Sequence, residues 1–349
     1  MDLEPYLTDL EARLDDETEQ QLLEAWRQFA AGRFRGDIFS PRRRTKREPG
    51  IDWPAVGVNE ALDDYDLMAL QQLKPCSDAV AAGGGQVLCV RSNYGTPIVP
   101  SLFGVELFIM DEKLNTLPTC HPLTGGHDAI KAMVDRGVPD AESGWAGRVF
   151  EMGRRFQKIR ADYPRIGRYV HVIHPDFQGP MDICEMIWGS SIFYDLVDVP
   201  DLVHAFLDLL CETYIRMMRA WIDIVPLGET YAAHWAMMHK GHIMLRDDSA
   251  MNLSPAMFDA FIRPREQRCL DAFGGGAIHF CGRGDHFIER ASEMPGMHAI
   301  AMSQPEYNDM EVIYRHTVDK GIALLGLQRQ AAEQALASGR DLHGLVHCS

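Results

Sequence analysis

A histidine and a cysteine two residues apart, His279 and Cys281, close the apolar run Ala277-Ile278-His279-Phe280-Cys281. Side chains alternate along a strand, so both can point to one face near its end. Imidazole nitrogen and thiolate sulfur are preferred zinc ligands, and a catalytic zinc takes three protein ligands and keeps a fourth position open. Cys348 ends the last apolar run, Leu345-Val346-His347-Cys348. A sheet closed on itself would carry it to the same mouth. A buried His and Cys without a metal satisfy the same spacing.

Other residues could do chemistry as well. Asp247 and Asp248 are adjacent acids at a strand end, suited to general acid/base work or to holding a substrate cation. Hydrogen bonding to nearby loops is their plainer role. His234, His239 and His242 form a second cluster, but their spacing does not set all three on one helical face. Gly282-Arg283-Gly284 serves a turn after the strand, with Arg283 open to an anion. Tyr94, His121 and His127 are candidate pocket-lining groups.

These residues need a scaffold. Short apolar runs begin at Ala277, His298, Ile322 and Leu345, 21 to 24 residues apart, with helical patterns such as 287–294 and 309–320 between them. Strand, helix and strand at this period mean parallel strands joined by right-handed crossovers. Earlier strands are expected at 87–91, 169–174 and 243–246. Gly83-Gly84-Gly85 precedes a strand, whereas a phosphate loop follows one, so it reads as a turn. No Gly-x-Gly-x-x-Gly follows any strand. The expected fold class is therefore α/β, a (β/α)8 TIM barrel over residues 81–349 behind an N-terminal helical extension over 1–80. Asn93, Gln178, Asp182, Asp247, Asp248, His279, Cys281, Ser303, Gln304, Gln328 and Cys348 fall at or just past strand C-termini. In a barrel those ends form the face that carries the active site.

Helices follow the same logic. Residues 19–34 place Leu22, Leu23, Trp26 and Phe29 on one face. Pro200 suits a first helical position, and Leu202, Phe206, Leu209, Leu210 and Met217 recur at helical spacing. Ser254-Pro255 reads as a cap and first residue of another helix. The eighteen methionines are core filler.

Bulk properties narrow the class. The chain has 349 residues, 46% of them hydrophobic and 24% charged, with a net charge of −16. That balance suits a globular core and argues against a broad nucleic-acid surface. The basic run Arg42-Arg43-Arg44-Thr45-Lys46-Arg47 reads as a solvated loop. No stretch approaches the ~20 apolar residues that span a bilayer. The acidic first twenty residues are unlike a signal peptide. Eight cysteines lack scaffold spacing, and Cys89, Cys211 and Cys269 sit in apolar patterns, so a reducing cytoplasmic setting is expected.

The ordered set Asp247-Asp248-Ser249-Ala250-Met251-Asn252-Leu253-Ser254-Pro255, Ile262-Arg263-Pro264 and His279-Phe280-Cys281-Gly282 resembles the uroporphyrinogen decarboxylase superfamily. Gln178-Gly179-Pro180-Met181-Asp182 and Pro200-Asp201-Leu202-Val203-His204 look like its second strand and following helix. The likeness runs from about residue 85 to 349 and implies a TIM barrel. The Met-Arg-Gln-Ala-Gly-Arg segment of true uroporphyrinogen decarboxylases is absent, and Arg91-Ser92-Asn93-Tyr94-Gly95-Thr96 stands after the first clear strand. The branch it is closer to resembles zinc methyltransferases that move a methyl group from a methylcobalamin carrier protein to a thiol or related acceptor. That resemblance implies zinc on His279, Cys281 and Cys348. From position and residue type, Asp247 and Asp248 remain the candidate catalytic acids, and Asn93, Tyr94, Gln178, Asp182 and Arg283 the candidate substrate contacts. Zinc would lower the acceptor thiol's pKa. Asp341-Leu342-His343-Gly344-Leu345-Val346 has valine where the corrinoid-binding pattern Asp-x-His-x-x-Gly ends in glycine, so the methylcobalamin would arrive on a partner protein. A metal-free decarboxylase-like lyase using Asp247 or Asp248 is the second reading, and a binding module without catalysis the third. The sequence leaves the assembly open, a homodimer included.

Overall fold

The computed structural model describes residues 2–349. Eight short parallel strands alternate with helices: β1 (Ile38–Phe39), β2 (Cys89–Val90), β3 (His171–Val172), β4 (Ile243–Arg246), β5 (Gly276–Phe280), β6 (Met297–Met302), β7 (Ala323–Leu325) and β8 (Val346–His347). Six of them form one parallel sheet in the order β1-β8-β7-β6-β5-β4, and β2 pairs in parallel with β3. No ladder joins β3 to β4 or β1 to β2. Single backbone bonds span both seams: Gly179 N–H donates to the Arg246 carbonyl at 2.8 Å, and Arg43 N–H to the Gly83 carbonyl at 3.2 Å. The result is a mixed α/β chain with a central parallel sheet, arranged as in a TIM barrel.

The strands form where the expected apolar runs lie, and the last four contain no antiparallel pair. Ile243, Met244 and Leu245 are fully buried, as a strand covered on both faces requires. Gly276 lets β4 and β5 approach, since a Cβ there would stand 1.9 Å from the Ile243 carbonyl oxygen. β1 lies within the segment read from sequence as helices and loops. Two residues are too few to show a period of two.

Caps set the helix ends. The helix expected from Glu19 starts at Asp16, because the Asp15 carboxylate accepts the Thr18 N–H at 2.9 Å. The helix from Pro200 runs to Ile224. The one opening at Pro255 widens into a π turn over Phe258–Ile262 before continuing from Arg263 to Phe273. Pro264, which has no N–H to donate backwards, accounts for the break. The basic run is only partly solvated, for Arg43 is buried against Glu19. Among the described residues, no helix is long and apolar enough to cross a membrane.

Candidate functional site

Strand β5 ends in the His279-Phe280-Cys281 run, and the alternation turns His279 and Cys281 the same way. Cys281 Sγ lies 3.5 Å from His279 Nε2. The chain leaving β4 brings in a third donor: Asp248 Oδ1 lies 3.9 Å from His279 Nε2 and accepts the Cys281 backbone N–H at 2.6 Å. Donor atoms of Asp248, His279 and Cys281 lie within 4.8 Å of one another, the only such group of His, Cys, Asp or Glu among the described residues.

Neighbouring elements fix these three. Asp182, on the Pro180–Trp188 helix, accepts the backbone N–H groups of Asp248 and Ser249 at 2.9 and 2.8 Å. Ser249 Oγ donates to Glu185 at 2.6 Å. From the end of β6, Ser303 Oγ sits 3.4 Å from Cys281 Sγ, and the Gln304 side chain accepts the Gly282 N–H at 2.6 Å.

Electrostatics follow from burial. Burial pushes the Cys281 thiol up, and the Ser303 hydroxyl partly opposes this by favouring the thiolate. Burial lowers His279, against the pull of the Asp248 carboxylate, so a neutral ring with a free lone pair is favoured. Burial, then the charge of Asp248, raises the Asp182 carboxyl to about 7 despite its two backbone N–H bonds. The folded value thus exceeds the unfolded 3.8. Stability tied to that proton is complete below the unfolded value and is lost as the pH rises through 7. The stability advantage of the wild type over Asp182→Asn should therefore be larger at pH 5 than at pH 8. Urea unfolding of both proteins at the two pH values measures it, and a constant difference would count against a protonated Asp182.

A charged network lies beside the cluster. The Arg246 guanidinium, almost fully buried, stands 4.9 Å over the Trp235 ring. Its Nε is 3.1 Å from Asp176 Oδ1, an ion pair without the alignment of a hydrogen bond. Arg91 Nη1 donates to the other Asp176 oxygen at 3.1 Å, and its Nε donates to Asn93 at 2.9 Å. Gln178 Nε2 donates to Asp176 at 3.0 Å. Asn93 and Gln178 are thus linked through Asp176 and Arg246 to Trp235, whose ring centroid is 4.5 Å from that of His279.

The remaining expected residues fall elsewhere. Cys348 lies outside the three-donor cluster. It is fully buried at the end of β8, its backbone N–H donates to the Phe39 carbonyl, and burial lifts its thiol to about 11. In the sheet, β8 is three strands away from β5. Asp247 is fully buried with neither oxygen hydrogen-bonded, and burial and the nearby Glu266 keep its carboxyl well above the usual range. It therefore faces no solvent-borne substrate; of the two adjacent acids only Asp248 reaches the cluster. Tyr94 is a core residue packed edge-on to Trp145, and Arg283 extends into solvent beside Asp285. His127 bonds Asp195 in a separate cavity of about 220 Å³, and His121 packs on Phe108. His234 and His239 hydrogen-bond to each other at 2.8 Å, while His242 turns to the Phe273 and Gly228 carbonyls.

Sequence reasoning missed Asp176, Arg246 and Trp235. Arg246 did carry a signal, a lone charge ending the apolar run Ile243-Met244-Leu245. Trp235 carried none.

No protein-family model matches this chain, and no curated protein matches it. A solved structure, a methyltransferase from Methanosarcina mazei, superposes on it with a TM-score of 0.64, covering 95% of this chain and 93% of that one at 16% identity. The two share a fold. At that identity the likeness extends to the fold alone, and the chemistry must be argued from the residues.

Proposed function

We propose that this protein is a zinc-dependent methyltransferase of the uroporphyrinogen decarboxylase superfamily, its eight strands one closed barrel. It would pass a methyl group from a corrinoid carrier protein to a small thiol or related acceptor. The observation that carries the reading is the Asp248, His279 and Cys281 cluster. Zinc bonds of about 2.0 to 2.3 Å at tetrahedral angles set donor atoms roughly 3.4 to 3.7 Å apart. The observed 3.5 Å between Cys281 and His279 falls in this range, and the 3.9 Å between His279 and Asp248 exceeds it by a few tenths of an ångström, which the Asp248 side chain must close on the ion. Asp248 takes the place that the resemblance gave to Cys348.

A zinc ion held there would act as a Lewis acid that lowers the pKa of an acceptor thiol. The chain's own groups serve that end. The neutral His279 ring offers Nε2. The Ser303 hydroxyl can donate to the Cys281 thiolate. Asp182 anchors the turn that presents Asp248. The fold shared with a methyltransferase and the ordered motifs support the same reading.

Protein purified without chelator should contain about one zinc per chain, measured by plasma mass spectrometry, and should methylate a thiol from methylcobalamin. Cys348→Ser should keep that zinc with affinity within about threefold of wild type, since its thiol is no ligand. Loss of zinc in that variant would restore Cys348 to the site. Metal-free protein with no transfer activity would favour the lyase reading, with Asp248 and His279 as the acid/base pair.

A further inference from the structure

Between the antiparallel segments Tyr231–His234 and Met237–Lys240 lies a turn of only two residues, Trp235 and Ala236. Both are left-handed, with φ of 44° and 63°. A two-residue hairpin turn with both central residues at positive φ is a type I′ turn, which strongly favours Asn-Gly. Tryptophan has no intrinsic preference for it. A side chain stays in that region only where its surroundings impose it, and such strain gathers at functional sites.

Strand β2 imposes it here. The Ala236 N–H donates to Cys89 Sγ at 3.2 Å, and the Ala236 carbonyl accepts the Val87 N–H at 2.8 Å. The pinned turn delivers the indole against His279, with ring centroids 4.5 Å apart and planes at 80°. That is a favourable edge-to-face contact. Arg246 covers the same indole, so the ring is held from a second side.

His279 needs such a support. A metal-ligating histidine ordinarily donates its second ring N–H to a carboxylate or carbonyl, which fixes the ring. His279 Nδ1 is buried and has no aligned hydrogen bond; the nearby Ala301 backbone acts on the ring without forming one. Apart from that backbone, the polar groups that reach the ring are the prospective ligands themselves, Cys281 Sγ at 3.5 Å and Asp248 Oδ1 at 3.9 Å from Nε2, so packing must help to hold it before a metal arrives.

We propose that Trp235 is the positioning residue of the metal site: the strained turn presses its indole on His279 and holds Nε2 toward Cys281 and Asp248. This rests on the metal reading above, deepening it. Cobalt(II) is the probe, followed by its thiolate absorption in wild type, W235F, W235L and W235A. W235A should bind cobalt about 10- to 100-fold more weakly, as for loss of an orienting partner. W235F should stay within about threefold of wild type, because it restores the edge-to-face contact. W235L keeps apolar bulk without a flat ring and should resemble W235A, which covers a W235A that does not fold. Metal-free crystals give a second readout: the His279 ring should occupy a second rotamer in W235A or W235L and one rotamer in wild type. Wild-type cobalt affinity together with an unmoved ring in those variants would overturn the proposal. If wild type itself bound no cobalt, the metal reading would fall, and the ring in the metal-free variants would still decide the role of Trp235.

Discussion

Cys281→Ser should remove stoichiometric metal and thiol methylation together while leaving the fold intact. Its thiolate is the softest of the three donors in the cluster, and a serine hydroxyl, far harder to deprotonate, does not replace it. Losing an orienting neighbour costs about 10- to 100-fold in metal affinity, so losing a ligand should cost at least 100-fold. The fold has little at stake. Cys281 is only half-buried, and its structural bond to Asp248 runs through its backbone N–H, which serine keeps. The change in unfolding free energy should stay within about 1 kcal/mol. Equilibrium dialysis with zinc and urea unfolding report the two quantities separately. Undiminished zinc binding would remove Cys281 from the site.

The same replacement separates the rival chemistries. A lyase using Asp248 and His279 keeps both groups in Cys281→Ser, and its turnover should survive. In wild type, zinc uptake should also weaken as the pH falls, because the Cys281 thiol, pushed up by burial, must lose its proton to become a ligand. Uptake independent of pH would point to Asp248 and His279 without the sulfur.

How far the sequence reveals this site depends on the kind of signal. Strands β5 to β8 are legible because burial on both faces writes them as continuous apolar runs at a steady period. The pairing of His279 with Cys281 follows from alternation along one strand. Position around the sheet is another matter. Cys348 ends its strand as expected, yet strand-end position says nothing of the three-strand separation from β5. Asp247 and Asp248 look equivalent in sequence, but one turns into a pocket of buried acids and the other to His279. Only backbone direction past β4 decides between them. Trp235 enters through a turn whose composition argues against the conformation it adopts, so no local rule could place it there.

Glu19→Ala should be among the most destabilising single changes in the chain, although Glu19 lies far from the cluster in sequence. The Glu19 carboxylate receives Arg43 Nε at 2.7 Å and Nη2 at 2.9 Å, a two-pronged pair whose side chains are 4% and 1% exposed. Arg43 also donates to the Gly84 carbonyl and, at 3.0 Å, to the Gln86 carbonyl. One guanidinium thus ties the Asp16–Ala30 helix, the segment after β1 and the approach to β2, across a seam that no strand ladder closes. Removing the acid leaves a buried, uncompensated positive charge, which costs about 3 to 5 kcal/mol. The double replacement Glu19→Leu with Arg43→Met should cost far less, because neither charge is left behind. The pair also tests how firmly the first helices are tied to the sheet, since residues 1–80 already supply its edge strand β1. With Arg43 joining the Asp16–Ala30 helix to the Gly84 and Gln86 carbonyls, Glu19→Ala should unfold in one transition at lower urea. An early step that releases the first helices and leaves the remaining transition at the wild-type midpoint would show instead that those helices stand apart from the sheet.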